Sequence, residues 1–231
     1  MFETTRRDGV AQLRQAGARW LSTAWDGGYV EAEAAYNVTV PTGFDRIDLD
    51  AYREERLAAA GFPVGPTLLT GVEMVHARVA TSGPVTVLST AGLSNPAVLP
   101  VGDEAASADE TDADSGWRPG TVNLLVGVDR ALSDGALATL LATAVEAKAA
   151  TLCSVADAPG TTSDAVVVGT NPSAERAEFA GSATEVGVAA RACVRDAVVA
   201  SLRSRYDDGP PAPADAEYGV VTDRQSDVRA P

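Results

Sequence analysis

The chain has 231 residues, 45% of them hydrophobic, with 32 acidic against 18 basic side chains, a net charge of −14 and a pI near 4.4. That length and apolar fraction suffice for one domain with a real core, and the sign of the charge excludes a nucleic-acid partner, because backbone phosphates demand a Lys/Arg surface. No apolar stretch reads as a membrane span of about 20 residues and the N-terminus runs into no signal-peptide core, so a cytoplasmic protein without a membrane partner is expected.

In chain order, residues 19–24 and 32–40 read as strands around the Asp26-Gly27-Gly28 turn, whose paired glycines permit positive φ. Residues 48–60 place Leu49, Tyr52 and Leu57 between charged side chains, the pattern of an amphipathic helix capped by Asp48 and stopped by Gly61. Residues 71–80 and 85–90 form a hairpin across Ser82-Gly83-Pro84, which puts His76, the only histidine, on a half-exposed strand. Residues 103–119 are acidic and small, and read as a solvated insertion. Residues 121–128 form a strand, and Ser133 caps a helix whose broad apolar face runs to about residue 155. Asp164 to Gly169 is a buried strand, and residues 183–206 a long closing helix. The Asp-, Pro- and Arg-rich residues 207–231 read as a disordered tail. Strands first, then strand, helix, strand, helix, imply an α+β fold: a single domain over residues 1–206, with helices layered on a mixed β-sheet.

Seventeen of the eighteen basic residues are arginine, and Lys148 is the only lysine. Acidic excess with Arg preferred to Lys fits a protein working at high salt, where charge repulsion is screened; a GC-rich genome offers the same composition through its codons. Arg does not replace Lys where a compact, movable ammonium is needed, so Lys148 is a candidate for chemistry. Glu146, two positions away, points roughly 200° from it on an ideal helix, so one faces a site and the other solvent. Cys153 and Cys193 lie in apolar helical patterns without CxxC or His-rich spacing and read as small buried hydrophobes, with no metal set.

Polar residues recur beside glycines and strand ends: Asn37; Ser89-Thr90-Ala91-Gly92-Leu93-Ser94-Asn95; Gly120-Thr121-Val122-Asn123; Gly160-Thr161-Thr162-Ser163-Asp164. Turns use the same residue types, but glycine beside a hydroxyl or amide also lets a ligand approach the backbone, while the side chain directs one hydrogen bond, which suits recognition of amides. None of these segments has the spacing of a phosphate loop.

The segments at residues 86–103 (TVLSTAGLSNPAVLPVGD), 120–152, 160–170 (GTTSDAVVVGT) and 179–198, with 26–40 upstream, together resemble the adenosylcobinamide amidohydrolases, the CbiZ family. The resemblance spans roughly residues 10–206 and implies hydrolysis of the amide joining aminopropanol to the corrin ring, in corrinoid salvage for cobalamin synthesis in prokaryotes, chiefly archaea. It implies a corrinoid small molecule as partner, with cobalt belonging to the substrate and no further cofactor. The positions carried over are Asn37, Thr90, Asn95, Asp103, Thr121, Asn123, Glu146, Lys148, Thr161 and Asp164.

Amide hydrolysis needs a nucleophile, a proton for the leaving amine and donors for the oxyanion. One histidine excludes HExxH and argues against a Ser-His-Asp triad. Two schemes remain. In the preferred one a carboxylate, Glu146 or Asp164, activates water while Lys148 or an Asn amide stabilises the oxyanion. In the other, Thr161, Thr162 or Ser94 attacks with Lys148 as base. Asn37, Asn95 and Asn123, with Thr90, Ser94, Asp103 and Thr121, are expected to bind substrate. A non-hydrolytic corrinoid-binding protein and an amidase of different substrate are the alternatives.

Overall fold

Residues 85–91 (VTVLSTA) send Val85, Val87 and Ala91 to one side and Leu88 to the other, and both sides are buried. A strand covered on both faces needs a layer on each, and that requirement sets the architecture. The structure, a computed structural model, describes residues 1–101 and 120–230. The expected acidic insertion, Asp103 included, lies outside the described residues.

Strands β1 (Glu3–Arg7), β2 (Val10–Arg14), β5 (Ala34–Thr39) and β6 (Thr67–Thr70) form one sheet in that spatial order, antiparallel except for the β5–β6 pair. Strands β3 (Arg19–Ser22), β4 (Gly28–Glu31), β7 (Arg78–Ser82), β8 (Val85–Ala91), β10 (Val122–Val128) and β11 (Ala165–Thr170) form a second, ordered β4-β3-β11-β10-β8-β7, with β10 and β11 parallel. Helix α1 (Leu49–Ala60) packs Tyr52, Leu57 and Ala60 on the outer face of the smaller sheet, against Val10, Tyr36 and Val38. Helices α2 (Asp134–Ala156) and α3 (Glu185–Arg205) cover the outer face of the larger sheet. The order of layers is helix, sheet, sheet, helices. The α+β reading holds, but the expected single sheet is two, because β2 and β5 also bury both faces.

Two glycines fit the sheets together. At Gly127 an added Cβ would lie 2.4 Å from the Phe2 ring, and at Gly169 2.4 Å from the Trp20 ring. Phe2 and Trp20 meet edge to face, with centroids 5.6 Å apart, in the space those glycines leave. On the other face α2 and α3 set small residues, Ala144 and Ala147 on α2 and Ala190 and Ala197 on α3, among larger ones against the valines of β8, β10 and β11.

Several local expectations are corrected. Met74–His76 is a single 3-10 turn rather than strand. Arg78 donates to the carbonyls of Val75 and Ala77 at 2.9 and 2.8 Å, which diverts them from sheet pairing. Asp48 stands at the N-cap of α1, but its carboxylate binds Arg46 and caps nothing, whereas Ser133 does accept from Ala136 N at 3.2 Å. Gly61 closes α1 at φ 71°, as expected. Cys193 is buried but Cys153 is exposed. Helix α2, against the expectation that no stretch reads as a span, is long and apolar enough, at mean hydropathy 1.4, to cross a membrane by length and composition; its apolar face here is packed in the core. The segment read as a structureless tail contributes β12 (Val220–Val221), which pairs in parallel with β9 (Ala97–Val98).

Candidate active site

Strand β8 ends where β10 and β11 begin, and at that end two glycines, Gly120 and Gly160, lie against polar side chains. At Gly160 a Cβ would lie 2.4 Å from Asp164 Oδ2 and 2.9 Å from Lys148 Nζ. At Gly120 it would lie 2.0 Å from Asn95 Oδ1 and 2.5 Å from Ser94 Oγ. Both positions bring backbone against polar side chains as the sequence suggested, although the neighbours are the protein's own.

Asp164 is the hub. Its Oδ1 accepts from Val122 N at 2.7 Å and from Thr161 Oγ1 at 2.5 Å. Its Oδ2 accepts from Thr161 N at 3.0 Å and from Lys148 Nζ in a short contact. Lys148 reaches it from the inward face of α2, and the two side chains are only 8% and 9% exposed. A charge pair this dry persists only with its remaining hydrogen-bond sites filled, and four donors fill those of the carboxylate. Thr161 is buried at 8% exposure and its hydroxyl proton is committed to Asp164. Among the described residues no three His, Cys, Asp or Glu side chains cluster as a metal site would.

A wall stands beside the hub. Asn95 Nδ2 donates to Thr162 Oγ1 at 2.6 Å, and Thr162 N returns a bond to Asn95 O at 3.2 Å. Among the described residues Asn95 Oδ1 is a buried acceptor with no hydrogen-bond partner, a costly state for an amide unless a ligand completes it. Ser94 is half-buried next to it, and Thr162 is exposed.

Behind the hub lies a polar seam between the sheets. Asn37 Nδ2 donates to Thr90 Oγ1 at 2.8 Å, and Asn123 Nδ2 donates to Asn37 Oδ1 at 3.0 Å and to Leu69 O at 2.9 Å. Thr121 and Thr70 share a 2.5 Å hydroxyl contact. The seam is tied to the hub twice over: Val122 N binds Asp164, and Ala165 N binds Asn123 Oδ1 at 3.2 Å. Asn37, Thr90, Thr121 and Asn123 are all at most 1% exposed, and their polar groups pair with one another, with Thr70 and with the start of β11.

The structure therefore brings together Lys148, Thr161 and Asp164, with Asn95 and Ser94 alongside and Asn37, Thr90, Thr121 and Asn123 behind. It does not bring Glu146: that carboxylate is on the outer face of α2, paired with Arg191 of α3 and 60% exposed. Asp103 lies outside the described residues. Thr70 went unread, since an isolated Thr at a strand end carries no signal in sequence.

The family model for adenosylcobinamide amidohydrolase, CbiZ, matches residues 2–210. A curated protein from Halobacterium salinarum, named adenosylcobinamide amidohydrolase, is 51% identical over 234 residues and is covered completely, as is this chain. Among solved structures, the PH0078 protein of Pyrococcus horikoshii OT3 aligns at TM-score 0.44 and 11% identity, over 87% of this chain and 79% of that one. The L-aminopeptidase D-Ala-esterase/amidase of Ochrobactrum anthropi aligns at TM-score 0.40 and 13% identity, over 88% and 83%. On the full-length match in sequence, the chain belongs to the adenosylcobinamide amidohydrolase family, CbiZ.

Proposed function

We propose that the protein hydrolyses adenosylcobinamide, adding water across the amide of the aminopropanol arm to give adenosylcobyric acid and 1-amino-2-propanol. The activity follows from family membership over nearly the whole chain, and it serves corrinoid salvage. A halophilic archaeal setting is supported by the composition and by the Halobacterium relative.

For the mechanism, the carrying observation is the 2.5 Å contact from the Thr161 hydroxyl to a carboxylate that Lys148 holds in turn. Nucleophile, base and orienting group stand in line, the general arrangement for covalent catalysis. Thr161 Oγ1 attacks the amide carbonyl as its proton passes to Asp164; the proton then goes to the departing amine, and water hydrolyses the resulting ester and restores Thr161. Lys148 fixes the position of the Asp164 carboxylate by pairing with it and offsets the negative charge of the tetrahedral intermediate. Asn95, with its unpartnered acceptor, receives a substrate N–H. Water activation by a carboxylate fits less well: Asp164 has no free acceptor position for a water, and Glu146 faces outward. Lys148, expected as the base of the hydroxyl scheme, serves instead as the partner of the base.

The test is turnover of adenosylcobinamide in molar KCl, followed by mass spectrometry, for wild type, Thr161→Ala and Thr161→Ser, with hydroxylamine added. Wild type should release aminopropanol and yield a cobyryl hydroxamate from the ester. Thr161→Ala should be at least about a hundredfold slower, a loss of about 2.7 kcal/mol of transition-state stabilisation. Full activity in a folded Thr161→Ala protein sinks the nucleophile assignment and returns activated water.

A further inference from the structure

The segment after α3 passes back to the active-site wall. Val220 N donates to Pro96 O at 2.9 Å and Thr222 N to Val98 O at 2.9 Å, immediately after Asn95. On its other side the same short stretch faces the hub: Ala97 N donates to Gly160 O at 2.9 Å, Thr162 N to Asn95 O at 3.2 Å, and Pro96 bridges Thr161. Residues 95–98 are thus the middle of a three-stranded patch, with the proposed nucleophile on one edge and the C-terminal segment on the other. Gly219 makes the approach possible, at φ 145° and with room for no Cβ, since one would lie 2.5 Å from Pro96 O. The Tyr206 hydroxyl, just past α3, receives Leu93 N at 3.0 Å and holds the start of the same loop.

We propose that residues 219–222 are a positioning strap whose backbone sets the Asn95 wall against Thr161 from outside the site, without touching substrate. A loop with one edge paired and the other open can shift by fractions of an ångström, and a hydroxyl displaced by about 1 Å from its acyl target can lose around a hundredfold in rate. The strap lies beyond residue 210, where the family match ends, whereas the Halobacterium relative matches over its whole length. The inference rests on the reading of Thr161 and Asn95 given above.

The experiment compares full-length wild type, Val220→Pro, Gly219→Val and Val220→Leu for kcat and KM on adenosylcobinamide, and for amide hydrogen exchange. Val220→Pro removes the N–H that binds Pro96, Gly219→Val drives a side chain into Pro96, and Val220→Leu keeps the bond. The first two should lower kcat about tenfold with a smaller change in KM. They should also speed exchange at Ala97 and Thr162 while leaving the β10 amides protected, and Val220→Leu should match wild type in every respect. Unchanged kcat in Val220→Pro overturns the proposal, as does loss of protection throughout β10, which would make the effect one of general stability. If wild type leaves adenosylcobinamide intact, the catalytic reading has failed; exchange at Ala97 and Thr162 still decides the strap, with faster exchange in Val220→Pro supporting it and unchanged exchange overturning it.

Discussion

Lys148 and Asp164 are dry enough that removing one partner leaves the other charge stranded. Lys148→Met alone should destabilise the protein by about 3–5 kcal/mol, as should Asp164→Asn, because each uncovers a buried group whose partner has gone. The double variant should cost less than the sum, a coupling that chemical denaturation of all four proteins measures directly; strict additivity would mean the pair does not interact in solution. Gly160→Ala tests the same point from the backbone, since its Cβ would meet Asp164 Oδ2 at 2.4 Å. It should abolish turnover through displacement of the hub, without altering any charged group. The rarity of Lys148 singles it out in the sequence, and the helical angle to Glu146 requires one of the two to face out. Which one did was decided only by the partners, Asp164 across the sheet end and Arg191 across the helix pair, at sequence separations that spacing arguments do not reach. Asn37 and Asn123 illustrate the same limit. Their burial and their partners across the two sheets, Thr90, Leu69 and each other, depend on the assembly and have no signature in local spacing.

Elements were easier to read than their assembly. The helices that became α1, α2 and α3 and the strands β3, β5, β8, β10 and β11 were all legible, because long apolar periodicities and terminal glycines mark them. The first hairpin, β1 with β2, was not singled out: β1 is exposed along its length and gives no alternating pattern. Without that hairpin the smaller sheet does not stand out as a layer of its own. Gly127 and Gly169 were also silent in sequence, as glycines inside apolar strands, yet they make room for the Phe2–Trp20 contact that joins the layers. Gly127→Ala or Gly169→Ala should lower stability by about 1–3 kcal/mol through overpacking, with little effect on KM. A loss confined to activity would contradict the placement of those glycines. The helices offer a chemical check. Burial pushes the Cys193 thiol up to about 11, with the Asp196 charge adding to it, while Cys153 is exposed on α2. A thiol reagent at pH 8 should therefore modify one cysteine in the folded protein and the second only on unfolding.

For the molecule as a whole, the decisive quantity is a net charge of −14. Self-repulsion of that size opposes the compact state at low salt, and the screening length falls from about 10 Å at 0.1 M to about 3 Å at 1 M. If screening restores about 3 kcal/mol, the Tm at pH 7 should rise by about 6–12 °C between those concentrations of KCl. The same change near pH 4.4, the sequence pI, should be much smaller, because the net charge there is close to zero. The surface ion pairs do not reverse that expectation. Arg46 holds Asp48 and Glu55 below the ordinary carboxylate range, Arg19 does so for Asp134, Arg195 for Asp196, and the Asn171 amide for Asp129. With folded values depressed, these groups favour the native state above their unfolded pKa, and that contribution disappears only as pH falls through the depressed values. The depression keeps these carboxylates charged to lower pH than they would be in the unfolded chain, so moving toward the pI does not work by breaking these contacts first. Thermal melts in 0.1 M and 1 M KCl at the two pH values read the difference. Equal salt effects at both would show that the acidic surface acts through ion and water binding at individual carboxylates rather than through the summed field of the molecule.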